Sequence, residues 1–343
     1  MDMSERLVLD TAERIFREHV TPALRERAAA GEFPQALWSA LEAQGLFAVT
    51  DPELGLPAAL PFELLKLAGR FAVPLPLAET LLATRWLEAT PAEPTTIGLG
   101  PSAGAVLAPW GQQFTAVLRV SQPVPEAAAG TTDRIERIGV TATVPAEHGL
   151  ALEPLSTVEG RVQDELVVPD ACAELALSRA ALMSGALETV LELALRYASE
   201  REQFGRPLSR FQAIQHQIAV LAAEVAAAQM ATAGAIAAFG APGWPEAAAA
   251  AKIRAGEAAG IVSELAHQVH GAMGYTREHE LHQFTLRLLR WRDEYGHEAE
   301  WQRWLGDRLL DRGAEQCWAF ITDGGAAAGS EQNHRAATGT QEP

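Results

Sequence analysis

Apolar residues recur at three- and four-residue intervals over the first ninety positions, the spacing of one buried face on an α-helix. The pattern predicts a helix that begins near Ser4 and continues to residue 20, and further helices over 33–46, 60–71 and 77–87. Residues 1–93 are therefore predicted to form a small helical domain.

The pattern then changes to short runs of β-branched and aromatic residues, separated by Gly, Pro and Asp clusters. These runs predict a β domain over residues 94–173, with strands at residues 95–99, 105–107, 114–120, 138–143 and 166–168. Gly98, Gly100 and Gly104 have part of a dinucleotide-binding spacing, but Pro101 follows the second glycine and no βαβ pattern surrounds them. Glycines at strand ends are the favoured interpretation.

Long helical periods follow, with glycine and proline at the joints. The predicted helices cover residues 175–201, 209–240, 245–271, 281–291 and 298–321. Ser209 lies three residues before Gln212, which is the spacing of a capping box. Long helices with short joints predict an up-and-down bundle over residues 174–322. Residues 323–343 have no apolar period and are predicted to be disordered.

Composition and charge narrow the functional classes. The 343 residues are 48 % hydrophobic and 21 % charged, which is typical of a globular protein with two or three domains. A net charge of −17 argues against binding to nucleic acid or to an anionic membrane surface. The start of the chain shows no secretion signal, no stretch suggests a membrane span, and Cys172 and Cys317 form no disulfide or metal pattern. Cytoplasmic localisation is the expectation.

A corner between two predicted helices, at residues 196–212, combines arginines, an aromatic side chain and a Gly-Pro turn. Arg201 at a helix end can present its guanidinium to phosphate oxygens, and Phe204 can pack on a flat ring. Gly205 lets a ligand approach the backbone closely. The alternative is an ordinary helical hairpin with solvated arginines, and composition does not separate the two.

A second stretch, at residues 266–275, places Gln268 beside Gly271 and Gly274 at the end of a predicted helix. Small residues there would let a cofactor or a neighbouring chain approach the backbone. The alternative is a glycine C-cap without a ligand.

Together these two stretches resemble the C-terminal domain of the acyl-CoA dehydrogenase family, where an Arg-x-x-Phe-Gly-x-Pro corner and a Gln-x-x-Gly-x-x-Gly turn hold FAD. The resemblance covers the chain to about Thr322. It implies a mainly α fold with an N-terminal helical domain, a reduced central β domain and a C-terminal helical bundle, and an acyl-CoA substrate. It also implies that the adenosine-diphosphate part of FAD, held mainly by a neighbouring subunit, contacts Arg201, Phe204, Gln212, Gln268 and Gly271.

The chain departs from the family in its β domain. This domain is shortened, and nothing between residues 94 and 173 reproduces the Thr-Glu-Pro-x-x-Gly-Ser-Asp type of segment that lies against the flavin ring. The chain thus resembles the smaller subunits of heteromeric bacterial acyl-CoA dehydrogenases of steroid and related ring-compound catabolism. This resemblance implies a hetero-oligomer with a full-length partner subunit. The alternatives are a scaffold without cofactor and a self-sufficient homo-oligomeric dehydrogenase.

The family uses a carboxylate base to remove the α-proton of the acyl-CoA, usually in a Tyr-Glu-Gly-Thr setting. Here the matching stretch is residues 292–296, where Glu294 stands one place early and Tyr295 takes the position of the base. Glu294 is the candidate base of this chain, although the base is expected in the partner, and a solvated helix-end charge is the favoured interpretation of Glu294. Glu174, on the helix that opens the bundle, is a second candidate.

Four histidines form two pairs one helical turn apart: His267 with His270, and His279 with His282. No cysteine or clear third ligand accompanies either pair. We therefore predict core and interface histidines and no metal site.

Overall fold

The N-terminal part of the chain is helical in the computed structural model, which describes residues 3–88, 95–101, 104–122, 124, 132–146, 152–313, 315, 317 and 318. Its helices are α1 (Met3–His19), α2 (Pro22–Ala29), α3 (Gln35–Ala43), α4 (Leu60–Phe71) and α5 (Leu77–Trp86). The predicted boundary at residues 93 and 94 lies outside the described residues, so the domain limits stay predictions.

Helix α2 was missed in the sequence because it has no apolar stripe; its buried residues are Arg25 and Ala28. Local chemistry forms it instead. The Thr21 hydroxyl oxygen accepts a hydrogen bond from the backbone N–H of Leu24 at 3.1 Å, and Pro22 occupies the first turn, where its missing N–H costs nothing.

The β domain is a closed barrel with the strand order β1-β2-β5-β4-β3. Its strands are β1 (Thr95–Leu99), β2 (Val106–Pro109), β3 (Ala116–Val120), β4 (Thr132–Pro145) and β5 (Leu155–Pro169). β1 and β3 are parallel, and the other pairs are antiparallel. A Cβ on Gly98 would lie 2.8 Å from the carbonyl oxygen of Leu107, so strand packing explains this glycine.

The C-terminal part is an up-and-down bundle, so the predicted mainly α fold is confirmed. Its first helix, α6 (Ala171–Glu200), is followed by a short hairpin of β6 (Glu202–Gln203) and β7 (Arg206–Pro207). The remaining helices are α7 (Gln212–Ala238), α8 (Trp244–His270), α9 (Leu281–Asp293) and α10 (Glu298–Arg312). The predicted tail at residues 323–343 lies outside the described residues.

The predicted capping box at the start of α7 is wrong. Residues 208–210 form a 3₁₀ turn, and the N-cap of α7 is Phe211, which has no side-chain acceptor. The reason is that the hairpin returns the chain to the end of α6, where the Leu208 N–H donates to the Arg201 carbonyl oxygen at 2.8 Å. Ser209 is thereby drawn into the turn.

Helix α7 corrects a second expectation. Among the described residues it is the one helix whose length and composition would suffice to cross a membrane, and 28 % of its most apolar window is buried. The core helix of a globular protein can meet the same criteria. In this fold α7 packs against both α6 and α8 through one buried face, which includes Leu221, Val225 and Ala228.

Helix α6 is the centre of the molecule, since its first seventeen residues are all buried. The backbones of α6 and α4 approach each other closely where the helices cross, because glycines lie at the contact. A Cβ on Gly185 would overlap the carbonyl oxygen of Lys66, and a Cβ on Gly69 would overlap that of Leu182. This crossing fixes the N-terminal helices on the bundle.

We expect Gly185→Ala to lower the free energy of unfolding by about 3 kcal/mol, because the added methyl group must push α4 and α6 apart. Gly234→Ala is the matched control: Gly234 is also helical, and a Cβ there would have no atom within 4 Å. This control should gain roughly 0.5–1 kcal/mol from helix propensity. Denaturant titration measures both, and equal midpoints for the two variants would contradict the close crossing.

Candidate functional site

The predicted corner between α6 and α7 is a β-hairpin whose tip points into solvent. Arg201 is the C-cap of α6, and Gln212 is the first residue of α7. Phe204 and Gly205 form the tip with φ angles of 54° and 77°, as in a two-residue hairpin turn. The Phe204 side chain is 92 % exposed. The backbone therefore holds an aromatic ring in the open, in a conformation that a non-glycine residue seldom adopts.

The end of α8 lies beside this corner. Gly271 caps α8 with φ 58° and ψ −140°, and Gln268 is in the last turn. The Gln217 Nε2 on α7 donates to the Gln268 Oε1 at 2.9 Å. The Tyr197 ring on α6 stacks on His270 with 4.5 Å between centroids. The structure thus brings the segments that carry all five predicted cofactor-binding residues to one end of the bundle.

The donors at this end suit an anionic ligand. Arg201 is exposed, and no carboxylate in the described part of the chain lies within ion-pair distance of it, although the chain carries a net charge of −17. A Cβ on Gly205 or Gly271 would have no atom within 4 Å, so the backbone at both residues is open. A guanidinium, amides and an exposed ring fit phosphates and a flat base. The open surface would contact one side of such a ligand.

Glu294 lies at the other end of the bundle, at the C-cap of α9. Its Oε2 accepts from the Arg179 Nε at 2.7 Å and its Oε1 from the Arg290 Nε at 2.7 Å. Burial raises the pKa of Glu294, but the two guanidiniums outweigh burial and hold this pKa below its usual range. The interpretation as a solvated helix-end charge is wrong. The catalytic assignment stays a prediction, and a low pKa with both oxygens occupied argues against it.

Tyr295, at the position expected for the base, is buried with φ 54°. Its hydroxyl donates to the Glu79 Oε1 at 3.0 Å, and the Arg179 guanidinium lies over its ring at 4.6 Å. Arg179 also pairs with Glu79. The adjoining cavity, lined by Glu79, Glu153, Arg179 and apolar side chains, has a volume of about 10 Å³. This is room for one water molecule and not for an acyl chain.

Glu174 links α5 to α6. Its Oε2 accepts from the Trp86 Nε1 at 3.0 Å and its Oε1 from the Arg85 Nε at 3.2 Å. Burial raises the pKa of Glu174, and Arg85 opposes this effect. Both oxygens are held in a domain contact, which is a structural role.

The six predicted site residues do not form one site. Lys252 on α8 donates through its Nζ to the carbonyl oxygens of Arg292 and Gly296, at 2.6 and 2.7 Å. The turn that contains Glu294 therefore lies beside Lys252. Gln268 lies sixteen residues further along the same helix, or about 24 Å at 1.5 Å per residue. The cofactor-binding residues therefore occupy the end of the bundle opposite to Glu294.

The histidines pack against aromatic rings. His270 contacts His279 edge to face at 4.6 Å between centroids, and His267 stacks on Tyr275 at 4.6 Å. Burial lowers the pKa of His270 to about 4, so it is neutral at physiological pH. Within the described ranges, no group of three or more His, Cys, Asp or Glu residues could hold a metal ion.

The buried ion pair of Glu79 and Arg179 was not predicted from the sequence. Each lies inside a run of otherwise buried residues, in α5 and α6. A charged residue within an otherwise apolar run indicates a buried charge, and a buried charge needs a partner of opposite sign. The sequence alone did not show that the two charges meet.

Comparison with known proteins identifies the family. Residues 2–55 match the family model of the acyl-CoA dehydrogenase N-terminal domain, and residues 170–293 match that of the C-terminal domain. The acyl-CoA dehydrogenase IpdE2 of Mycobacterium tuberculosis is 31 % identical over 297 residues, which cover 82 % of this chain and 90 % of that protein. The chain belongs to the acyl-CoA dehydrogenase family. Membership confirms FAD as the predicted cofactor and supports oxidoreductase activity.

Solved structures share the fold of this acyl-CoA dehydrogenase family member. A chain of a Tcur3481–Tcur3483 steroid ACAD variant has a TM-score of 0.77 at 23 % identity, covering 91 % of this chain and 99 % of that one. A chain of the ChsE4–ChsE5 complex of Mycobacterium tuberculosis has a TM-score of 0.77 at 19 % identity, with coverage of 91 % and 98 %. The predicted resemblance to acyl-CoA dehydrogenases of the steroid-catabolism type is thus confirmed as a similarity.

We expect Glu294→Gln to lower the free energy of unfolding by roughly 2–3 kcal/mol at neutral pH, because Arg290 loses the carboxylate it pairs with and the buried Arg179 keeps only Glu79 as a counter-charge. The lowered pKa of Glu294 means that this stabilisation is present above its ordinary pKa of 4.5 and is lost as the pH falls below it. The difference from wild type should therefore shrink in acid.

The control for this prediction is Glu13→Gln, which removes an exposed ion pair with Arg17 within α1 and should cost less than about 0.5 kcal/mol. Denaturant titrations at several pH values measure both variants. A Glu294→Gln protein as stable as the control at neutral pH would contradict the structural role of the ion pair.

Proposed function

We propose that this chain is the smaller subunit of a heteromeric FAD-dependent acyl-CoA dehydrogenase that desaturates an acyl-CoA thioester between its α and β carbons. The chain contributes the adenosine-diphosphate half of an FAD site at the subunit interface. The observation that carries the proposal is the contrast between the two ends of the bundle. One end exposes Arg201, which has no ion-pair partner among the described residues, and the other end is filled by a buried charge cluster.

The end of the bundle with Arg201 and Phe204 binds FAD. Arg201 binds a phosphate of the flavin, and Phe204 packs on a flat part of it. Gln212 and Gln268 add amide hydrogen bonds, and Gly271 leaves the backbone accessible. FAD held by these residues would supply the acceptor for the hydride that leaves the β carbon of the substrate.

The partner subunit supplies the catalytic base. A base that removes a weakly acidic α-proton needs a pKa near the working pH and a free oxygen that can reach the substrate. Glu294 and Glu174 have both oxygens engaged, and the Tyr295 hydroxyl donates a hydrogen bond to Glu79. The cavity beside Tyr295 holds about one water molecule, so the acyl group lies in the partner.

The relatives support a two-subunit assembly and the substrate class. ChsE4–ChsE5 and Tcur3481–Tcur3483 are each named as a pair, and the latter is called a steroid ACAD. IpdE2 is called an acyl-CoA dehydrogenase. We propose a full-length acyl-CoA dehydrogenase subunit as the partner, a bulky ring-containing or side-chain acyl-CoA as the substrate, and the cytoplasm as the location.

A scaffold subunit without cofactor is the second candidate. The small cavity beside Glu79 and Arg179 favours a scaffold, since a volume of about 10 Å³ leaves no room for an acyl group in this chain. Arg201 favours the half-site, because this exposed cation, which has no ion-pair partner in the described part of the chain, stands beside the exposed Phe204 at the end of the bundle that also carries Gln268.

We expect the chain expressed alone to retain little FAD, and the chain co-expressed with a full-length acyl-CoA dehydrogenase partner subunit to give a yellow complex. The physical reason is that the open corner contacts one side of the cofactor. The absorbance spectrum and the flavin-to-subunit ratio measure this, with fewer flavins than subunits expected. A stoichiometric flavin on the isolated chain would refute the half-site, and a colourless assembled complex would favour the scaffold.

In the assembled complex, Arg201→Ala should weaken FAD binding by about 1–3 kcal/mol, because a charge-assisted contact to phosphate is lost. Arg303→Ala, which removes an exposed arginine on α10, is the control and should leave the dissociation constant unchanged. Fluorescence titration of the flavin-free complex measures both, and thermal unfolding checks that folding is preserved. Equal FAD affinities of the two variants would assign Arg201 a purely structural role.

A further inference from the structure

Gln217, Gln268 and Glu264 form a hydrogen-bonded series where the start of α7 packs against the end of α8. The Gln268 Nε2 donates to the Glu264 Oε1 at 3.2 Å, one turn earlier on α8. The Gln268 Oε1 accepts from the Gln217 Nε2 on α7 at 2.9 Å. Each end of the Gln268 amide is therefore engaged by a different neighbour.

The chemistry of the neighbours decides which way the Gln268 amide faces. A carboxylate can only accept hydrogen bonds, so the nitrogen of Gln268 must face Glu264. The oxygen of Gln268 then faces α7 and needs a donor there. Gln217 supplies this donor and consequently turns its own oxygen inward, where it is buried without a hydrogen-bond partner.

The buried oxygen of Gln217 indicates that its amide serves the adjacent site. An acceptor that is desolvated without a donor is unfavourable, and an apolar side chain of the same length would avoid this cost. The donor that Gln217 directs at Gln268 is the compensating interaction in the described structure.

We infer that Gln217 is a positioning residue that, with Glu264, orients the amide of Gln268 so that an N–H faces the flavin diphosphate. The Gln268 Nε2 carries two N–H groups, of which Glu264 accepts one, so the second remains to donate to an anionic oxygen. With the opposite orientation Gln268 would present its carbonyl oxygen to the phosphates and repel them. This inference rests on the proposed function, because it concerns the same half-site.

The test measures FAD dissociation constants of the flavin-free complex assembled with the partner subunit. Gln217→Met keeps the length of the side chain and removes the donor, and we expect roughly 3- to 10-fold weaker binding. Gln217→Glu places an acceptor against the oxygen of Gln268, and the resulting reversal of the amide should weaken binding further. Gln229→Met is the matched control on α7, about 18 Å from Gln217 along the helix, and should leave the affinity unchanged.

A double-mutant cycle shows whether Gln217 acts through Gln268. We expect Gln217→Met to have no further effect on FAD affinity in the Gln268→Ala background. The unfolding midpoint of the flavin-free complex should be the same for wild type and Gln217→Met, which separates positioning from a loss of stability.

The outcomes distinguish this inference from the proposed function. If Gln268→Ala weakens FAD binding but Gln217→Met does not, the positioning role is wrong and the half-site stands. The same conclusion follows if Gln217→Met weakens FAD binding as much in the Gln268→Ala background as in the wild-type background. The same holds if Gln217→Met lowers the unfolding midpoint in step with the affinity. If the assembled complex binds no FAD, or if Gln268→Ala binds it as wild type does, the proposed role of Gln268 fails and the inference with it.

Discussion

A guanidinium that is removed from water must have its charge compensated, and Arg179 in the centre of α6 imposes this requirement on the whole structure. Its partners come from different parts of the chain, Glu79 from α5 and Glu294 from the end of α9. The Tyr295 ring covers the guanidinium, and its hydroxyl binds Glu79. Removing Arg179 would leave Glu79 as a buried carboxylate without an ion-pair partner among the described residues, so this residue links α5, α6 and the α9–α10 turn.

This cluster bears on function, because it includes Tyr295, which stands at the position where the sequence resemblance implies the carboxylate base of the family. The groups there bind one another, and the remaining cavity of about 10 Å³ cannot admit a substrate. At the other end of the bundle, Arg201 and Phe204 have no comparable partners among the described residues. A chain with one end satisfied internally and the other end open is suited to complete the site of another subunit.

Much of the fold followed from local patterns, because helical periods, strand runs and glycine–proline joints are recorded in neighbouring residues. The cofactor-binding corner was also predictable, since its residues lie within two short stretches. Features that depend on distant partners were not. The pairing of Glu79 with Arg179 joins residues 100 positions apart. Glu294 lies 115 positions from Arg179, and its bond to that guanidinium made it a half-buried counter-ion where a surface charge was expected.

Other errors arose where two signals competed. Ser209 and Gln212 have the spacing of a capping box, but the hairpin bond between Leu208 and Arg201 determined where α7 begins. Helix α2 forms through the Thr21 cap without an apolar stripe, which periodicity cannot detect. In both cases a single short-range hydrogen bond, which side-chain periodicity does not record, determined where the helix begins.

The electrostatics of the chain explain why such a site would be shared. A net charge of −17 disfavours the approach of an anionic cofactor, and screening limits the attraction of Arg201 to about 8 Å at physiological ionic strength. Exposed cations such as Arg201, two amides and an open backbone can recognise a diphosphate but cannot remove it from water. Enclosure by a second subunit would strengthen every one of these contacts, because the same charges interact more strongly where water is excluded. FAD would then stabilise the assembly that encloses it, since a ligand bound only by the complex shifts the association equilibrium toward the complex.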